Sequence, residues 1–436
     1  MEELLIIERS PNLSGEVCLS GAKNAVLVIM AALLLVKGRS VLHNVPNSSD
    51  VEQMIKLLVS LGAHIEFDQM SHTLLVDATE LENYNIDHSV MRKMRASVLV
   101  MGPLLARLGR ITLTYPGGCV LGARPIDYHI KNFKRMGVVI HEDDYFLTAT
   151  TSGLQARRLV LDYPSVGATE NLMMAATFAE GMTTIVNAAL EPEVLDLIGA
   201  LRQMGASISV QAPATIQIIG GATLHPIEYT VMNDRLEAGT LILAAAMTGG
   251  EIVIPNFSPD FLDVFLLKLE EMGHIIKTTN KQIVVKGTKC VRAVSFKTAP
   301  YPGFPTDLQA PIMSGLCLAE GVSVVEEAVF ENRLVHTSEL QKMGAQIKVD
   351  GNRAQITGVS ELYGAEVIAT DIRASAALVL AGLAAQGRTV ISGVHHFRRG
   401  YDNLDQKLTK LGARISTVKA DGLKPLAGQH QLDRLS

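Results

Sequence analysis

Residues 20–65 read SGAKNAVLVIMAALLLVKGRSVLHNVPNSSDVEQMIKLLVSLGAHI. A polar start leads into an apolar helical run that closes on Gly38. A short strand-like segment follows, then a turn, a second helix, Gly62 and another strand. The first helix is apolar nearly all round, which predicts full burial. In the second, Val51, Met54, Leu57, Leu58 and Leu61 return at helical spacing with polar residues between. That pattern predicts a helix lying on one face of a sheet.

The same unit recurs along the chain. Its buried-helix part appears again as MRASVLVMGPLLARLG, VGATENLMMAATFAEG, LEAGTLILAAAMTGG, TDLQAPIMSGLCLAEG and DIRASAALVLAGLAAQG. The glycine that ends it falls at Gly38, Gly109, Gly181, Gly250, Gly321 and Gly387. The period of about 70 residues exceeds that of solenoid repeats, so each copy is a βαβ-type unit rather than a stacking rung. Six units divide as three plus three, each three surrounding a common core, in an α/β (α+β) fold of two similar domains. The join is expected near residues 222–234. The first turn of each buried helix then presents free N–H groups and partial positive charge. Two such domains face to face make a site for anions.

Composition narrows the partners. The chain has 436 residues, 48% of them hydrophobic, and a formal net charge of −5. An acidic chain with 5% aromatic residues has neither the basic surface nor the stacking platforms of a nucleic-acid binder. The longest apolar run, Ala25 to Val36, is too short to span a bilayer. MEELLIIERS lacks a signal-peptide pattern. The four cysteines show no metal-ligand spacing, which fits a reducing cytoplasm and no metal. Adjacent His395 and His396 read as strand or loop residues facing opposite ways, a poor metal motif. His129 and His336 have no evident partner, and Met173 and Met174 read as core.

The six starts differ. Unit one offers Lys23 and Asn24; unit two offers Arg95 and, later, Cys119 and Arg124 in PGGCVLGARP. That stretch reads either as a tight turn or as a mobile loop with a reachable thiol beside a cation. Unit three offers Ser165, Gly167 and Thr169; unit four, LEAG, is less charged. Unit five opens on Asp307 and later shows Glu331, Asn332 and Arg333. Unit six opens on Asp371 and Arg373 and later shows Arg398, Arg399 and Tyr401. Ser165, Asp307 and Asp371 are also ordinary N-cap types. Lys23, Arg95 and Arg373 oppose the helix dipole, so each calls for an anion, a bound phosphate or a carboxylate.

LSGAKNA (19–25), MRAS (94–97), PGGCVLGARP (116–125), PSVGATEN (164–171), FPTDLQA (304–310), VFENR (329–333), TDIRASAALVLAG (370–382) and RRGY (398–401) together resemble the UDP-N-acetylglucosamine enolpyruvyl transferase family. The resemblance covers roughly residues 3–417. It implies an inside-out barrel architecture of two domains, each of three βαβαββ units. The implied boundaries are 21–232, and 1–20 with 233–436, where 419–436 is a flexible tail. It also implies phosphoenolpyruvate and UDP-N-acetylglucosamine as substrates in peptidoglycan synthesis, with no cofactor. Lys23, Arg124 and Arg399 would hold phosphoenolpyruvate, with Arg95 and Arg373 as further active-site arginines. Asn24, Asp307 and the backbone at Val329 would meet the amino sugar. Arg124, Pro125, Ile126, Asp127 and Tyr128 match the uracil-binding stretch, and Ser165, Val166 and Gly167 the diphosphate contacts. Arg333 and Asp371 join them as substrate-binding candidates. Tyr163 stands where some members carry a lysine near the nucleotide, so that contact differs.

The chemistry implied is addition of the sugar 3-hydroxyl to C2 of phosphoenolpyruvate, then loss of phosphate. Asp307 would take the hydroxyl proton. Cys119 would donate the proton to C3 or form an adduct, and the inhibitor fosfomycin would alkylate it. Aspartate serves at the cysteine position in some relatives, which favours proton transfer. The alternatives are the shikimate-pathway enolpyruvyl transferase, a non-catalytic nucleotide-sugar-binding paralogue, and an RNA-end-processing enzyme of similar repeat architecture.

Overall fold

The computed structural model describes residues 3–86, 95–114, 126–143 and 145–419. Each of the six apolar runs forms a helix: Lys23–Ala32, Met101–Leu108, Val166–Ala176, Arg235–Thr248, Gln309–Leu316 and Ile372–Ala384. Their side chains are buried almost throughout, as expected where no polar face exists to meet water. The helices pack mainly on one another; Arg235–Thr248, Gln309–Leu316 and Ile372–Ala384 are all in mutual contact. The amphipathic runs form Ser49–Ser60, Asp127–Arg135, Pro192–Gln203, Asp263–Glu271, Thr337–Lys342 and Leu404–Lys410.

Among the described residues there are six sheets, five of four strands and one of three. Arg158–Val160, helix Val166–Ala176 and Gly181–Val186 make one parallel βαβ crossover. Gly181–Val186 then pairs antiparallel with Thr215–Gly220, with Ile185 opposite Ile216. Parallel neighbours need a helical crossover while antiparallel ones need only a hairpin. The unit satisfies both, which accounts for its length. Strands bury alternate residues, as in Thr73–Asp77, so one face of each sheet covers a core.

Two hydrophobic cores result. One draws its buried residues from Ala22 to Val231, the other from Leu5–Val17 and Leu236–Ala413. Strand Glu228–Thr230 returns to lie parallel beside Arg39–His43 and closes the first ring. The N-terminal strands close the second. Ser14–Glu16 pairs with Glu251–Pro255, and Glu3–Glu8 lies between Arg388–Ser392 and Arg414–Lys419.

Three expectations change. In unit four the left-handed glycine is Gly249, with φ 69°, rather than Gly250. Gly250 is required for another reason: a Cβ there would lie 1.9 Å from the Leu13 carbonyl oxygen. Lys419, expected in a tail, is the last residue of a strand and pairs with Glu3; residues 420–436 lie outside the described residues. His395 and His396 sit on helix Val394–Gly400 with ring centroids 4.0 Å apart, not on opposite faces of a strand.

Candidate functional site

Lys23 begins its buried helix, and the N-cap residue before it, Ala22, supplies no side-chain cap. A cation there opposes the helix dipole and needs a counter-charge. Asp50 supplies it. Lys23 Nζ donates to Asp50 Oδ2 at 3.3 Å, and Arg399 Nε donates to Asp50 Oδ1 at 2.9 Å. Asp50 stands in the first turn of Ser49–Ser60, which Ser48 caps through Val51 N, so its charge complements that helix end. Arg399 stands in the last turn of Val394–Gly400, where a cation is equally favourable. Lys23 and Asp50 belong to elements of the first core and Arg399 to the second, so one carboxylate ties the two together. The Asp50 side chain is 6% exposed. Burial pushes the Lys23 ammonium below its usual pKa, and Asp50 pulls it part of the way back.

A second cluster adjoins the first. Asp307 accepts from Arg333 Nη2 at 2.5 Å and from Arg373 Nη2 at 2.7 Å. Arg373 Nη1 also donates to the Tyr401 hydroxyl at 3.2 Å, and that hydroxyl lies 3.1 Å from Thr240 Oγ1. Burial would raise the Asp307 carboxyl pKa; Arg373 and Arg333 outweigh it and hold the group well below the ordinary carboxylate range. Arg373 and Asp307 both exert an electrostatic effect on Lys23, so the two clusters form one charged site. Arg333 Nε and Nη1 are buried without a hydrogen-bond partner among the described residues. A buried guanidinium with unused donors is poised for a further acceptor.

The anions that Lys23 and Arg373 call for are thus protein carboxylates, Asp50 and Asp307. Of the three N-cap candidates, Ser165 and Asp371 do cap. Ser165 Oγ accepts from Ala168 N, and Asp371 Oδ1 accepts from Arg373 N and Ala374 N. Asp307 lies in the turn Thr306–Leu308, does not cap a helix and spends its charge on the arginines.

Val166 and Gly167 form the first turn beyond Ser165; the His129 ring lies under Gly167, 3.6 Å from where a Cβ would be. Ile126 and Tyr128 are half-buried and Asp127 is exposed at the start of Asp127–Arg135. Asn24 is exposed. The Val329 N–H donates to Glu327 Oε1 at 2.9 Å, so the backbone donor is already engaged. Arg95 opens the 3-10 turn Arg95–Val100, its side chain lying outside the description. Cys119, Arg124 and Pro125 lie outside the described residues.

Both isolated histidines have partners. His129 Nδ1 lies 3.2 Å from Asn171 Nδ2, and His336 Nδ1 lies 3.2 Å from the Arg333 carbonyl oxygen. Burial lowers both pKa values to about 4, so both rings are neutral at pH 7. Unit four is not weakly charged. Asp234 caps its helix, Arg235 pairs with Glu193 at 2.9 Å and Glu237 pairs with Lys407 at 2.7 Å. Asp234 and Glu237 line a small cavity with Lys23 and Tyr401. The signal was in the two residues just before LEAG. Asp50 carried no distinguishing signal, since an aspartate in a first helical turn is ordinary. No cluster of three metal-ligating side chains occurs among the described residues, and no helix there is long and apolar enough to cross a membrane.

The family model of EPSP synthase (3-phosphoshikimate 1-carboxyvinyltransferase) matches residues 7–427. UDP-N-acetylglucosamine 1-carboxyvinyltransferase 1 of Caldanaerobacter subterraneus is 49% identical over 415 residues, 95% of this chain and 99% of the relative. The Geobacter metallireducens protein named UDP-N-acetylglucosamine 1-carboxyvinyltransferase is 46% identical with the same coverage. Among solved structures, the enolpyruvyl transferase NikO from Streptomyces tendae superposes with a TM-score of 0.87 at 27% identity, covering 96% of this chain and 99% of NikO. EPSP synthase from Acinetobacter baumannii, at 17% identity and a TM-score of 0.73 over 96% of this chain and all of its own, shares the fold. The chain therefore belongs to the enolpyruvyl transferases of the EPSP synthase family and, within them, to the UDP-N-acetylglucosamine 1-carboxyvinyltransferases.

Proposed function

We propose that this enolpyruvyl transferase joins phosphoenolpyruvate to the 3-hydroxyl of UDP-N-acetylglucosamine between its two cores. The observation that carries the reading is the pair of cations, Lys23 and Arg399, brought to one carboxylate from opposite sides, beside Asp307 and its arginines. A donor bearing phosphate and carboxylate needs several fixed cations, and groups already in place cost no reorganisation as charge develops. Lys23, Arg124 and Arg399 hold the donor, with Arg95, Arg333 and Arg373 around it. Asn24, Asp307 and the Val329 backbone face the amino sugar. Ser165, Val166 and Gly167 take the diphosphate at a helix N-terminus, and residues 124–128 take the uracil. Asp371 serves by fixing the first turn that carries Arg373.

The sugar hydroxyl oxygen adds to C2 of phosphoenolpyruvate as its proton passes to Asp307 and C3 gains a proton from Cys119. C3 then returns a proton to the Cys119 thiolate, the C2=C3 bond re-forms and inorganic phosphate leaves C2 with the proton that Asp307 had taken up. Residues 21–232, and 1–20 with 233–436, are the two lobes that close over the substrates. The free thiols Cys18, Cys290 and Cys317 suit a reducing cytoplasm.

Incubating the protein with both substrates and identifying the products by mass tests the reading. An enolpyruvyl-UDP-N-acetylglucosamine and equimolar phosphate are expected. Phosphate release with shikimate 3-phosphate instead would overturn it in favour of the sister activity. Fosfomycin is expected to add its own mass once per chain and to leave Cys119→Ser unmodified; an unchanged intact mass of the unaltered protein would remove Cys119 from its role.

A further inference from the structure

We propose that Asp50 is a positioning residue that presets the donor's anion clamp. It holds Lys23 and Arg399 aimed at a common point before the donor arrives. The inference rests on the reading of Lys23 and Arg399 as that clamp. Asp50 divides its two oxygens between them, at 3.3 Å and 2.9 Å. Two cations drawn to one site from different lobes repel each other, and a fixed carboxylate between them offsets that repulsion.

The atoms used leave the clamp open. Asp50 takes Nε of Arg399; among the described residues no hydrogen bond engages Nη1 or Nη2. The outer edge of the guanidinium, which suits a phosphate oxygen pair, is therefore unspent. On Lys23, Asp50 takes one donor of three. The carboxylate thus orients both cations without consuming the donors the substrate needs.

Asp50 is itself held rigidly. Ser48 caps its helix, and Val51, Met54, Leu57 and Leu58 of that helix are buried in the first core. The helix also packs against Val394–Gly400, the helix that carries Arg399. Small misplacement of a binding group is costly in rate, so this anchoring has a catalytic consequence.

Asp50→Asn keeps the shape and removes the charge. It is expected to lower kcat/KM for phosphoenolpyruvate by up to about 100-fold, the order lost when a binding group is misplaced by about an ångström. KM for UDP-N-acetylglucosamine is expected within twofold of the unaltered value, and Asp50→Glu to recover part of the loss. Asp50→Ser carries the same expectation as Asn should the amide pack poorly. In a Lys23→Met background, Asp50→Asn is expected to cost less than it does alone. Turnover by the unaltered protein together with normal phosphoenolpyruvate kinetics in both Asn and Ser variants would overturn the proposal. So would an equal loss of affinity for both substrates. Absence of turnover by the unaltered protein would instead overturn the underlying functional reading, and this inference with it.

Discussion

Asp307→Asn is expected to lower kcat by about 10²–10⁴-fold, the range supplied by a positioned general base, and to change KM for UDP-N-acetylglucosamine little. Asp307 is held at 2.5 Å by Arg333 and at 2.7 Å by Arg373. Those arginines keep it ionised, which a proton acceptor requires, but they also make it a weak base. Its basicity is expected to rise if an incoming anion draws Arg373 or Arg333 away, because those are the groups that lower its pKa. Among the described residues Arg333 has two buried donors without a partner. A variant that loses only affinity, with kcat intact, would contradict the base assignment.

The same pair of contacts governs stability. Removing one partner from a buried ion pair costs about 3–5 kcal/mol, since the remaining charge loses its counter-ion. Asp307→Ala strands two arginines and is expected to approach that cost, so Asn is the cleaner kinetic probe. The folded-state pKa of Asp307 is depressed. Its contribution is therefore present above the ordinary aspartate value of about 4 and is lost as pH falls from there through the depressed value. Acid unfolding followed below about pH 4 is expected to be shallower in the Asn variant. An unchanged acid limb would show that the ion pairs carry no linkage.

Cys119→Ser is expected to lose at least about 99% of turnover, the low end of what a positioned proton donor supplies, while UDP-N-acetylglucosamine still binds. A serine hydroxyl is a far poorer acid than a thiol and a weaker nucleophile, so both candidate roles fail together. Cys119→Asp separates them. A carboxyl group can pass a proton but is not alkylated as a thiol is, so activity without a fosfomycin adduct is the expected result. Near-normal turnover by the serine variant would remove the residue from the mechanism.

Much of the architecture is written in local pattern. An apolar run such as 25–36 cannot lie on a surface, and six such runs at one period require cores that share them. Glycine positions are legible within a residue, because a left-handed turn is needed wherever a buried helix gives way to a strand. Unit four missed by one, since its Gly249–Gly250 pair serves two different needs. Cations at helix starts were legible as an electrostatic debt. Lys23 and Arg373 stand out because the dipole disfavours them.

What answers those cations was not legible. Asp50 lies 349 residues from Arg399 in the chain, and nothing local marks an aspartate in a helical first turn as the counter-ion of two distant groups. The same holds for Arg235 with Glu193 and for Lys407 with Glu237. By itself the sequence determined the repeat, the buried helices, the family and which residues are chemically uncomfortable where they stand. Only the tertiary structure decided which charges meet. Periodicity and propensity act over one or two turns of chain, whereas ion pairing depends on distances of a few ångströms that are set when whole units close around a core.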